Sequence, residues 1–281
     1  MASDIANTRH LVNSCERKLA MKTYLLIFTT VLLFACQQET KQEPAQEKAP
    51  FQEITLQTPD SIQLFGDLYE IDKAGPTILL FHQGGSNARG EYAPIIPKLT
   101  AKGFNILAID LRVGGQYYGQ YNRTIANIPS YSFGDKYGYC DAYNNLESAL
   151  DYMIVAGFTG KKIAWGSSYS ASLAVQLGNK RPDDLVGVLA FSPAAGGPLE
   201  ACSPNPYFET ITVPLLVLRP PNEMENESSQ AQFALAEEHG HQTFVPKHGR
   251  HGSSMLVEER VGHNTDATWE VVMAFIDKVS R

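Results

Sequence analysis

KKIAWGSSYSASLAVQLG, residues 161–178, is the stretch whose reading decides the fold. Lys162 to Trp165 reads as a short strand, and the run from Tyr169 reads as a helix. Between them lies Gly166-Ser167-Ser168-Tyr169-Ser170. A strand that turns straight into a helix can hold one side chain in a strained, exposed position at the sheet edge. Small residues two positions before and two after keep such a turn free of clashes. That requirement puts Ser168 at the tip, with Gly166 and Ser170 as its flanks. Ser167 at the tip would be flanked by Trp165 and Tyr169, which are too bulky. Ser170 would already lie inside the helix.

The rest of 51–281 surrounds this turn with an alternating pattern. Strands are predicted at 52–57, 62–69, 77–82, 105–110, 162–166, 185–192, 214–219 and 242–246. Helices are predicted at 91–102, 143–156, 169–179, 226–239 and 266–279. Ala142, Leu146, Ala149, Leu150 and Met153 form one stripe with a period near 3.6. TILLFH (77–82) and NILAID (105–110) are near-continuous apolar runs, as in strands buried on both faces. The first two strands follow each other through a Pro59-Asp60 turn, and later strands alternate with helices. This predicts an α/β domain of about 230 residues around a mostly parallel, eight-stranded sheet with an antiparallel start and no large lid.

Ligands of such sheets bind beyond the carboxyl ends of the strands. There the chain places His82-Gln83-Gly84-Gly85-Ser86, then Asp110-Leu111-Arg112-Val113-Gly114-Gly115, the Ser168 turn, an acidic loop with Glu223 and Glu225, and a loop with His248 and His251. A serine hydroxyl needs a base to remove its proton, and the base needs a carboxylate to fix its tautomer. Nucleophile, acid and base occur in workable order. The alternative for either glutamate is the first turn of the 226–239 helix, where acids suit the dipole.

FHQGGS (81–86), IDLRVGG (109–115), GSSYS (166–170), the acidic loop after PLLVLR, and HGSSML (251–256) together resemble the α/β-hydrolase superfamily, in its dienelactone-hydrolase-like or esterase-like branch. The resemblance covers essentially all of 51–281. Two positions depart from the family pattern. Ser170 stands where G-x-S-x-G ends in glycine, and Gln83 follows His82 where His-Gly is common. Dienelactone hydrolases proper use a cysteine nucleophile, so their substrate does not carry over. The resemblance implies a serine hydrolase cleaving a carboxylic ester or related acyl bond through Ser168, His251 and Glu223. His248 is the alternative base and Glu225 the alternative acid. The expected oxyanion donors are the Tyr169 N–H and one from the His82–Gly85 turn, Gly84 foremost, with Gln83 supporting the turn or contributing directly. His82 is expected to be structural. An acyl transferase, a peptidase, or a non-catalytic binding lipoprotein on this fold would share the pattern. Tyr117, Tyr118, Tyr121, Tyr131, Tyr137 and Tyr139 crowd one insert and read either as a substrate platform or as a packed loop.

Upstream of residue 51 the composition changes. YLLIFTTVLLFA (24–35) follows Lys22 and is too short to cross a membrane, which needs about 20 residues. It reads as a signal-peptide core. Its end, Leu33-Phe34-Ala35-Cys36, resembles a bacterial lipobox, which implies a lipid on Cys36 and a natural start at Met21. Residues 1–20 read as an over-extended start or a charged leader. Gln37 to Pro50 lacks aromatic and β-branched aliphatic residues and reads as a disordered tether reaching at most roughly 50 Å. The expected location is the bacterial cell envelope, lipid-anchored, facing the periplasm or on the outer membrane. An exported chain tolerates disulfides. Cys140 and Cys202 would close a loop of about 60 residues, worth roughly 4 kcal/mol, or remain two buried thiols. A net charge of −7 without a basic stripe argues against nucleic acid as a partner. His239-Gly240-His241 lacks a third ligand and reads as a loop, so no metal and no cofactor are expected.

Overall fold

The strands of the computed structural model form one sheet in the order β1-β2-β4-β3-β5-β6-β7-β8. They are β1 Gln52–Gln57, β2 Gln63–Tyr69, β3 Thr77–Phe81, β4 Asn105–Asp110, β5 Lys162–Ser167, β6 Gly187–Phe191, β7 Leu215–Leu218 and β8 Gln242–Phe244. Residues 51–130 and 135–281 are described, all within the chain unit Gln46–Arg281. The expected signal peptide, Cys36 and the tether to Pro50 lie outside the described residues, as does Tyr131. β1 pairs with β2, and β2 with β4, antiparallel. Every later pairing is parallel.

Nine α-helices occur among the described residues: α1 Ala88–Tyr92, α2 Ile96–Thr100, α3 Arg123–Ala126, α4 Tyr143–Val155, α5 Tyr169–Lys180, α6 Asn205–Phe208, α7 Glu227–Glu238, α8 Glu258–Val261 and α9 Asp266–Ser280. The side-chain period of two in the strands sorts the core into two layers. Leu79, Phe81 and Ala164 pack with Leu146 and Leu150 of α4 and with Leu173 of α5. Ile78, Leu80 and Trp165 pack with Tyr92 of α1 and with Trp269, Val272 and Phe275 of α9. The sheet is therefore buried on both faces, which is why β3 and β4 carry no polar alternation.

The single helix predicted over 91–102 is two short ones. Asn87 caps an earlier start, its side chain accepting from the Gly90 N–H. Pro94 then supplies no N–H, and the chain restarts with Pro97 in the first turn of α2. The long insert after β4 packs back onto the β3 turn: Gly115 N–H donates to Ser86 O at 2.7 Å and Tyr117 N–H to Gly85 O at 3.0 Å. A Cβ at Gly115 would press on Gly85 O, so only glycine permits this approach.

Cys140 and Cys202 are bonded, with Cα atoms 5.5 Å apart. The bond joins the end of the insert to the 3-10 segment Gly197–Cys202. Replacing both cysteines by serine should lower stability by about 2–5 kcal/mol. Urea unfolding of the oxidised protein and the double variant checks this; coincident transitions would show that the bond contributes nothing.

Candidate active site

β5 and α5 meet at Ser168 with φ 61° and ψ −122°, a backbone conformation that non-glycine residues rarely adopt. The strain is held by bonds on both sides. Ser168 N–H donates to Phe191 O at 2.8 Å, and Ala194 N–H reaches Ser168 O at 3.3 Å. Gly166 sits so close to Ser170 O and to the Ala171 backbone that any Cβ there would overlap them. Ser170 replaces the usual glycine and uses its hydroxyl. Its Oγ donates to Phe81 O at 2.7 Å and accepts from the Ser167 N–H at 2.9 Å, which ties the turn to β3. Ser167 is fully buried, and its Oγ accepts from the Ser253 N–H at 2.9 Å. Of the three serines, Ser168 is the one that lines a cavity.

His251 lines the same cavity of about 830 Å³. Its side chain is 48% exposed, at the mouth. His251 Nδ1 lies 2.6 Å from Glu223 Oε1. Among the described residues, no hydrogen bond joins His251 to Ser168. Glu223 stands in the 3-10 turn Pro221–Glu225, outside α7. Asn226 caps α7 and Glu227 occupies its first turn, so neither sequence-predicted acid serves the helix start. Glu225 is exposed. The other oxygen of Glu223 accepts from Arg219 Nη1 at 2.7 Å. Arg219 also binds Pro193 O and Gln232 Oε1. Burial alone would raise the Glu223 carboxyl; its bond and charge contact with His251 and the Arg219 cation outweigh burial and hold it below its ordinary value. His248 instead stacks on His263, with ring centres 3.9 Å apart. His241 Nε2 lies 2.6 Å from Phe208 O, and no group of three metal-ligating side chains occurs among the described residues.

The β3 turn faces the Ser168 turn. His82 is fully buried; burial holds its imidazole neutral, below its ordinary value, against the pull of Asp110. Leu111 N–H donates to His82 Nε2 at 2.9 Å, so the proton sits on Nδ1, 2.8 Å from Gln83 O. Gln83 N–H donates to Glu91 Oε2 at 2.9 Å. Both backbone groups of Gln83 are thus committed, while the Gly84 N–H has no partner among the described residues. The Gln83 side chain donates to Tyr118 Oη at 3.2 Å, and Tyr118 Oη shares a 2.8 Å hydrogen bond with Ser254 Oγ. Gln83 therefore braces the turn and one wall.

No family model and no curated protein matches this chain. Solved structures do. An esterase of Pyrococcus furiosus is similar with a TM-score of 0.61 and 16% identity, over 83% of this chain and 91% of the esterase. A thermostable carboxyl esterase of Bacillus coagulans gives 0.62 and 13%, over 82% and 99%. A dienelactone hydrolase of Anabaena variabilis gives 0.61 and 14%, over 83% and 99%. The chain has the α/β-hydrolase fold.

On this α/β-hydrolase fold the insert resolves into two roles. Tyr117, Tyr118 and Tyr139 line the cavity. Tyr121 is exposed away from that lining, and Tyr137 packs against the core. Four residues that matter here were not singled out from the sequence: Glu91, Arg219, Arg250 and Arg260. Asn87 at the α1 cap, with Glu91 four residues on, was the available signal for the first. The others required the three-dimensional arrangement.

Glu91 is fully buried, with Oε1 unpartnered. Burial raises its carboxyl, against hydrogen bonding from Ser167 and the Gln83 N–H and the charge of Arg260. A raised carboxyl keeps its proton to higher pH in the folded chain than in the unfolded one. The associated stability is fullest below the unfolded value, about 4.3, and is lost as pH rises through the folded value. Glu91→Gln retains an acceptor for Gln83 N–H and has no proton to release. Its stability relative to the native chain should therefore grow as pH rises from about 4.3 upward. Urea midpoints across that range check this; a difference independent of pH would show that Glu91 titrates normally.

Proposed function

We propose that the protein is a serine hydrolase that cleaves carboxylic esters of small molecules through Ser168, His251 and Glu223. The observation that carries this reading is the Ser168 turn, strained and exposed to the cavity whose mouth holds His251, with Glu223 bonded to the far nitrogen of that imidazole. The esterases and the dienelactone hydrolase that share the fold support it.

Glu223 accepts the Nδ1 proton of His251, which leaves Nε2 to act as base. Rotation of the half-exposed imidazole brings Nε2 onto Ser168 Oγ; such contacts commonly tighten only when substrate binds. Ser168 Oγ then attacks the ester carbonyl and its proton moves to Nε2. The carbonyl oxygen takes up negative charge and is met by the N–H groups of Gly84 and Tyr169. Collapse expels the alcohol, which receives the proton from His251. Water, deprotonated by the same imidazole, releases the acid and restores Ser168. Arg219 keeps Glu223 ionised throughout.

We also infer that residues 21–50 direct export and anchor the enzyme to a bacterial envelope membrane through a lipid on Cys36. The Cys140–Cys202 bond supports an oxidising compartment.

A fluorophosphonate probe should label the native protein, and Ser168→Ala should abolish labelling and lower kcat on p-nitrophenyl butyrate roughly ten-thousand-fold or more. Glu223→Gln should lower kcat by about a thousandfold or more while leaving Ser168 in place. Labelling that survives Ser168→Ala would remove the mechanism. Incorporation of labelled palmitate in bacterial cells should be lost in Cys36→Ser, and incorporation that persists would rule out that anchor.

A further inference from the structure

The cavity is cationic in a chain that is acidic overall. Arg250 and Arg260 line it, and no Asp or Glu is among the described residues that do. Neither guanidinium has an ion-pair partner among the described residues. Arg260 is held by neutral groups: Nη1 donates to Glu91 O at 2.9 Å and Nη2 to Gly90 O at 2.7 Å. Its guanidinium carbon stacks 3.6 Å from the Tyr118 ring centre. Carbonyls and a ring hold the group in place without cancelling its charge. The carboxyls of Glu91 and Glu259 act on it only at longer range. The Glu91 carboxyl is turned to the Gln83 N–H, and burial favours its neutral form. Arg250, exposed at the rim, donates from Nε to Arg260 O at 3.0 Å, so one backbone link sets both side chains beside the cavity.

A half-buried cation fixed without a counter-ion is an anion site in waiting, since an incoming carboxylate supplies the charge that the protein withholds. Ser254 Oγ accepts from Arg260 Nη1 at 3.4 Å and shares one hydrogen bond with the Tyr118 hydroxyl, which leaves one of the two O–H groups as a neutral donor on the same wall. We propose that the cavity selects esters that carry a free carboxylate in addition to the scissile bond, with Arg260 as its anchor and Arg250 at the entrance. This rests on Ser168 being the nucleophile of an esterase.

The test compares the full-length protein on matched esters: benzyl hydrogen adipate against benzyl hexanoate, and 3-carboxybenzyl hexanoate against benzyl hexanoate. In at least one pair the carboxylate member should have a kcat/KM about tenfold higher or more at low ionic strength, with the ratio shrinking as salt is added. Arg260→Gln and Arg250→Gln should each bring that ratio toward one. Arg260 also ties α8 to α1, so if its variant does not fold, the exposed Arg250 and the salt dependence decide. Turnover of benzyl hexanoate with ratios near or below one in both pairs overturns the anionic selection and leaves ester hydrolysis standing. Absence of turnover on all three esters, with failed probe labelling, removes the esterase reading and this inference with it.

Discussion

The backbone at Ser168 is the constraint on which the rest of this molecule depends. A serine at φ 61° is unfavourable, on the order of 1–3 kcal/mol, and persists only where its surroundings over-determine it. Here they do. β6 and the loop after it grip the residue on one side, through Phe191 O and Ala194 N–H. The Ser170 hydroxyl grips the turn from the other side by reaching Phe81 O on β3. Gly166 leaves the room in which strand and helix can touch. Parallel pairing of β3, β5 and β6 sets these three strand ends side by side, so the sheet's register and the exposure of one hydroxyl are one problem.

The neighbouring loops are tied to the same point by buried polar bonds. Ser167 Oγ receives the Ser253 N–H, and Ser192 Oγ receives the Gly252 N–H, so the loop that starts at His251 is stitched to β5 and β6. Gly252, at φ 66°, presses against Ser167 Oγ where no side chain would fit. Trp165 Nε1 donates to Ser253 Oγ from beneath. The turn after β3 is held through Gln83, between His82 and Glu91. Buried hydrogen bonds of this kind are costly to leave half made, which gives the arrangement one geometry rather than several. His251 is the exception: its side chain is half exposed and is tethered through Glu223.

Most of the fold was legible in the sequence because its signals are local. Apolar runs such as TILLF and NILAID, the 3.6-residue stripe from Ala142 to Met153, and the small flanks of Ser168 each announce their structure within a few residues. The 91–102 helix was misread because Pro94 and Asn87 compete with an otherwise helical pattern, and the cap and the break together divide it. Strand ends and loop order put Ser168, both glutamates and both histidines at one sheet edge; the choice of Glu223 over Glu225 and of His251 over His248 rested on the resemblance. The supporting shell did not. Arg219 shows its role only once Glu223 folds back onto it, and Glu91 only once α1 lies behind the β3 turn. Arg260 meets Tyr118 across more than a hundred residues of chain, a contact with no sequence periodicity to reveal it. Whether Cys140 and Cys202 pair is likewise a question of which loops meet.

The most direct measurement is a crystal structure of the protein after reaction with a phosphonate ester. The account predicts phosphorus bonded to Ser168 Oγ, a phosphoryl oxygen at about 2.7–3.1 Å from the N–H groups of Gly84 and Tyr169, and His251 Nε2 turned to within hydrogen-bond reach of the adduct. Phosphorus on any other residue, or an imidazole still directed away from Ser168, would contradict it.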